Sequence, residues 1–277
     1  MYDDRDNEFL TDVASLASAG IEPPAAWAEL RQRLDDFTAM TTPVRDRLAN
    51  ALINPAQGDD VEALRALAYA EAGNTSAVNN TIRARVIAQM RQVYAEVAAD
   101  NYGVVAQRFD SAAAAFIAAA DAVDPESTAV AMVEAADKPR KAWLAAESFA
   151  NELTRLTTTL AVAARLAGVP GTDTLPVQLA LCCDPGSAHR RRTWMAWVQQ
   201  DGRCGRWSAL ATLGVVVRAW PSDRIGAVEG YRMAKPLEQR VEQRDGRTFH
   251  VQVDPEDPVT LSAIDPVKRN AGRMQAV

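Results

Sequence analysis

The sequence has few of the residues that do the commonest enzyme chemistry: three cysteines and two histidines in 277 residues. An odd, small number of cysteines excludes a disulfide framework and points to reduced thiols. No apolar run approaches the ~20 residues that a membrane-spanning helix needs. The opening "MYDDRDNEFL" lacks the apolar core of a secretory signal. A cytoplasmic chain with no membrane contact is therefore expected. Also missing are the glycine-rich phosphate loops, the H-E-x-x-H zinc helix and the G-x-S-x-G nucleophile turn. No cofactor, metal or catalytic residue is expected, although an enzyme with a site assembled from scattered residues stays open as an alternative.

What is present is ordinary globular composition, with 48% hydrophobic and 24% charged residues. The net charge of −6 is unevenly spread. Residues 1–168 carry 15 basic and 24 acidic side chains, and residues 169–277 carry 15 and 12. A polyanion would thus meet the C-terminal part, while the N-terminal part would repel it.

The first part reads as helix. Trp27, Leu30, Leu34 and Phe37 recur at helical spacing, "TTPVRDRLANALI" offers Thr42 as a cap and Pro43 at the first helical position, and Asp60 and Gly73 bracket the next helix. From Asn80 to about Val123 one apolar stripe runs for some forty residues, weakest at Gly103. "DPES" at 124–127 starts a return, Pro139 should break or kink it, and Phe149, Leu153, Leu156 and Leu160 then form a heptad seam that ends at Gly168. The pattern predicts a long antiparallel helical hairpin over about 80–168.

At "GVPGTDTLP" the apolar period changes from 3.6 to 2. Val177, Leu179 and Leu181 alternate with less apolar residues, "LGVVVRAW" reads as a buried strand, and "VEQRDGRTFHV" reads as a hairpin turning at Asp245-Gly246. "WVQQDGRCGRW" has the same punctuation and suggests a second hairpin, with Trp194, Ala196 and Val198 on one face. The expected fold class is α+β: a multi-helical part, 1–168, followed by a β-rich domain, 172–277, as a sandwich or small barrel. The last dozen residues, "PVKRNAGRMQAV", read as a basic tail.

The densest chemistry lies in "LCCDPGSAHRRRTWMAWVQQDGRCGRW", residues 181–207. Cys182, Cys183, His189 and Cys204 are zinc-ligand types, but neighbours on a strand point to opposite faces and neither half of a C-x2-C knuckle is present, so metal is not expected. Arg190, Arg191, Arg192, Arg203 and Arg206 lie among Trp194, Trp197 and Trp207, ingredients of a nucleic-acid groove. An excess of only three positive charges across the region is thin for that role. The favoured reading is a rim of five arginines that meets acidic surface on a protein partner, with nucleic-acid binding as the alternative. His250 and the acidic turn "DPEDP" at 254–258 read as a solvated strand residue and a rigid turn.

A long alanine-rich helical hairpin, short helices before it, a compact domain after it, and 26 arginines against four lysines together resemble structural or assembly proteins of tailed phages that infect actinobacteria. The likeness is one of layout over the whole chain and transfers no residue role. It implies a non-enzymatic component acting through protein–protein contacts, capsid-associated or head-to-tail, in a homo-oligomer or larger assembly and located in the virion.

Overall fold

A computed structural model describes residues 4–39, 43–53, 60–73, 75–244 and 247–256. The chain divides into two compact units, Met1–Val104 with Val162–Val169, and Val105–Ala161 with Pro170–Val277.

In the first unit α1 (Asp4–Ser18), α2 (Ala25–Ala39), α3 (Pro43–Ile53), α4 (Val61–Gly73) and α5 (Thr75–Ala95) follow in order. α2 packs on α5 and α3 on α4. Asp60 caps α4 by accepting from the backbone N–H groups of Glu62 and Ala63, both at 3.1 Å. Phe9, Val13 and Leu16 of α1 are buried, as are Ile87, Met90 and Tyr94 of α5, each set at helical spacing. Arg165 is held by two hydrogen bonds, each 2.7 Å, to the buried carboxylate of Asp12.

The forty-residue stripe is two helices, α5 and α6 (Ala98–Ala122). The break falls at Glu96–Val97, where the Val97 N–H turns back to the Tyr94 carbonyl, and Gly103 stays inside α6. The return is likewise divided, into α7 (Ala129–Val133), capped by Thr128, and α8 (Asp137–Leu166). Pro139 neither breaks nor kinks α8, because it stands in the first turn, where no intrahelical N–H is needed. Gly168, at φ +91, ends α8: its N–H reaches Arg165 and that of Val169 reaches Ala164. A side chain would strain that left-handed turn.

The expected β-rich sandwich or barrel is overturned. Residues 172–256 hold three helices, α9 (Leu175–Cys182), α10 (Arg190–Val198) and α11 (Arg206–Thr212), and a 3-10 turn over Ser222–Ala227. Among the described residues strands are confined to two small antiparallel pairs: β1 (Cys183–Asp184) with β2 (Val216–Val217), and β3 (Glu238–Arg244) with β4 (Arg247–Val253). The apolar alternation from Val177 to Leu181 misled because it spans barely one helical turn, too short to separate a period of 2 from 3.6. In α10 the buried set is Thr193, Ala196 and Trp197, a spacing of three and one that only a helix produces, while Val198 is exposed. The expected hairpin "WVQQDGRCGRW" is instead the loop joining α10 to α11, which pack on each other. The 238–253 hairpin does form. Its turn residues Asp245-Gly246, the predicted cap Thr42 and the basic tail lie outside the described residues.

Among the described residues no helix is long and apolar enough to cross a membrane. The seam residues of α8 share the inner face: Leu153, Leu156 and Leu160 are 0, 2 and 0% exposed, and Phe149 is half-buried.

Candidate functional site

Residues 181–207 fold as helix, short strand, helix, loop, helix, and their chemistry divides into three neighbouring clusters. The first is apolar. Trp197 and Trp207 are almost wholly buried and meet edge to face at 5.8 Å, and Trp207 meets Phe109 of α6 at 5.9 Å. The Trp207 Nε1–H donates to the Thr154 hydroxyl at 2.9 Å, so this tryptophan is fixed to α8 as well. Trp194 is half-buried and lies outside the fully buried set. Arg206 lays its guanidinium over the Trp197 ring at 4.5 Å, where desolvation lowers its pKa.

The thiols belong to this core. Burial pushes Cys182 up to about 12 and Cys183 well above the ordinary thiol value, against the smaller opposing pull of Arg206. Cys182 lies 3.7 Å from the Thr157 hydroxyl. Cys204, in the α10–α11 loop, is pushed up to about 11, first by burial and then by the charge of Glu126. Among the described residues no three His, Cys, Asp or Glu side chains gather as a metal site.

The second cluster is a lock at the α10–α11 loop. Glu126, from the turn before α7, accepts from the backbone N–H groups of Arg203 and Cys204 at 2.7 and 2.8 Å and from the Ser208 hydroxyl at 2.8 Å. Burial alone would raise its pKa, but these donors outweigh it and hold the carboxyl below its usual range. Gly202 makes room: a Cβ there would lie 2.6 Å from Glu126 Oε2, and its φ of +95 already suits glycine. Arg203 stacks on Trp143 at 3.6 Å and pairs with Glu147 at 2.9 Å.

The third cluster joins two motifs whose paired residues are 63 and 66 positions apart in sequence. "HRRR" opens α10, and "DPE" at 254–256 follows β4. Arg191 Nε lies 2.5 Å from Asp254 Oδ2, and its Nη2 donates to the Lys235 carbonyl. Arg190 Nη2 lies 2.6 Å from Glu256 Oε1. His189 caps α10 by accepting from the Arg192 N–H, and its Nε2 faces Asp254 at 3.5 Å. Tyr231 donates to the Arg190 carbonyl at 2.9 Å. Asp254 is buried, yet the Arg191 hydrogen bond, the Glu256 N–H and the nearby charges together outweigh desolvation and lower its pKa.

Of the five arginines in the expected rim, Arg190, Arg191 and Arg203 thus meet carboxylates of their own chain, and Arg206 meets an aromatic ring. The acid facing "HRRR" was visible in sequence as "DPEDP", but strand and turn patterns carry no information on which distant turn a helix start will meet. Beside β1 lies a hollow of about 460 Å³, lined by Cys183, Asp184, Arg218, Trp220 and Tyr231, in which Arg218 pairs with Asp184 at 2.5 Å. No family model, curated protein or solved structure matches the chain.

Proposed function

We propose that the protein is a non-enzymatic structural or assembly component that works through protein–protein contacts, of the kind found in tailed-phage virions. The observation that carries this reading is α7. Its Val130 and Val133, three residues apart and so on one face, are 80 and 75% exposed, while Met132 faces inward. Apolar side chains presented together by a capped helix are available to a partner, and burying them in a contact would be favourable. The intrachain pairing of Arg190, Arg191 and Arg203 counts against both the arginine rim and the nucleic-acid groove, because a guanidinium already paired with a carboxylate gains less from a partner's carboxylate or a phosphate, so the contact reading rests on α7.

The test uses the tagged chain purified under native conditions from the cells that make it. Wild type is expected to sediment as a multi-chain particle. Val130→Asp with Val133→Asp should keep the melting temperature, since both sites are exposed, and sediment as a smaller species. A wild-type chain that emerges alone, as a monomer, would overturn the reading.

A further inference from the structure

A hollow of about 710 Å³ lies between α6, α11 and β2, all within the second unit. Its walls are aliphatic or small: Ile117 and Ala120 from one face of α6, Ala211 from α11 and Val216 from β2. Val216 is 53% exposed, so part of that aliphatic wall stands in water. Among the described residues lining the hollow, the charged ones are Asp121 and Asp124, both exposed. Asp124 accepts from the Glu126 N–H at 2.9 Å, which fixes its carboxylate at the start of the turn after α6. Asp121 stands in the last turn of α6, at the negative end of the helix dipole, and no basic residue shares that turn. Two carboxylates and the negative end of a 25-residue helix together make a field that favours a cation.

We infer that the hollow docks a segment of a protein partner in which an aliphatic side chain and a lysine or arginine stand on the same side. The aliphatic group covers Ile117, Ala120, Ala211 and Val216, and removing that surface from water is favourable. The cation reaches Asp121 and Asp124, and its methylene stem adds apolar cover on the way. A free small molecule fits less well. Small-molecule pockets bury most of their ligand, whereas Asp121, Thr212 and Val216 of this lining are exposed. A side chain delivered by a partner is held there by the rest of the contact. The hollow also lies near the contact surface on α7. Val130 follows the lining residue Pro125 by five positions, so their Cα atoms are at most about 19 Å apart. One interface of about 800 Å² per partner spans that distance. The inference rests on the protein-contact reading and adds the partner's chemistry, aliphatic and basic where it meets the end of α6.

The experiment is a titration of a labelled, terminally blocked peptide of alanine, leucine and lysine with the purified full chain, read by fluorescence anisotropy. The controls are the same peptide with glutamate in place of lysine, and hexylamine as a competitor. The lysine peptide is expected to bind saturably and to weaken as salt rises. The glutamate peptide should bind about tenfold or more weakly. Asp121→Lys should weaken the lysine peptide about tenfold or more and keep the melting temperature, because a cation suits the last turn of a helix. Thr212→Trp, at an exposed lining position, should weaken it as well by filling the hollow. Equal binding of the two peptides, or lysine-peptide binding unchanged in Asp121→Lys, would overturn the inference. Displacement of the peptide by an equal concentration of hexylamine would also overturn it, in favour of a small ligand. A wild-type monomer that binds the lysine peptide by these criteria would overturn the assembly reading alone. A multi-chain particle with no such binding would overturn the docking site alone.

Discussion

Asp254 is buried while it accepts from Arg191 and faces His189, so its charge is held by neighbours and not by water. Removing one partner of such a pair leaves the other charge uncompensated. Asp254→Ala should cost about 3–5 kcal/mol in denaturant unfolding at pH 7. The pH dependence follows from the lowered pKa. A carboxyl depressed in the folded state contributes stability above its unfolded value, about 4, and loses it as pH falls through the folded value. Stability should therefore drop below about pH 4, and the drop should be smaller in Asp254→Asn, which carries nothing to protonate. An acid dependence as steep in the variant as in wild type would assign the loss to other carboxylates. The thiols give a second check at this scale. With Cys182 up to about 12, Cys204 up to about 11 and Cys183 also raised, thiolate is scarce at neutral pH. Iodoacetamide at pH 8 should leave all three unmodified in the native chain and alkylate all three after unfolding, as read by mass spectrometry.

Among the elements, α8 shows the heptad seam at work. Leu153, Leu156 and Leu160 are fully or nearly fully buried, so Leu156→Asp places a carboxylate where water is excluded. A loss of roughly 3–5 kcal/mol is expected, with reduced helical circular dichroism near the melting region; an unchanged melting temperature would mean that the seam does not carry the packing. Helix over the first 168 residues was legible in sequence because the apolar period runs for several turns, as were ends marked by a residue such as Asp60 or Gly168; the break at Glu96–Val97 was not, because no glycine or proline marks it. The elements after residue 172 were not. α9, α10 and α11 have eight, nine and seven residues, too few for the period to show. Their tryptophans and valines also favour strand in isolation, and tertiary burial of Trp197 and Trp207 overrides that preference. The 238–253 hairpin was legible because Phe249, Val251 and Val253 alternate with polar residues just after a strong turn signal. The in-chain acids for Arg190 and Arg203 were not, since Glu256 and Glu147 lie 66 and 56 positions away and nothing local marks them.

At the scale of the whole molecule, the second unit is built from two stretches that are distant in sequence, 105–161 and 170–277. Trp207 makes the dependence concrete: it packs on Phe109, donates to Thr154, and follows a loop held by Glu126. The Ala219 N–H adds a bond of 2.6 Å to Asp110. A fragment ending at Gly168 therefore keeps α6 and α8 but loses the contacts that Trp207 and Ala219 make to Phe109, Thr154 and Asp110. Cutting the chain where its apolar period changes should not release an independent helical domain. Fragment 1–168 is expected to show helical circular dichroism but to melt about 10 °C or more below the full chain and to bind a hydrophobic dye. Adding fragment 170–277 in a co-refolding mixture should raise the melting temperature and reduce dye binding. The intact chain should also resist proteases at 169–174 more than loop exposure alone suggests, because Val169 and Thr172 are buried. A 1–168 fragment as stable as the full chain, with no response to its complement, would show that the first stretch needs nothing from the second.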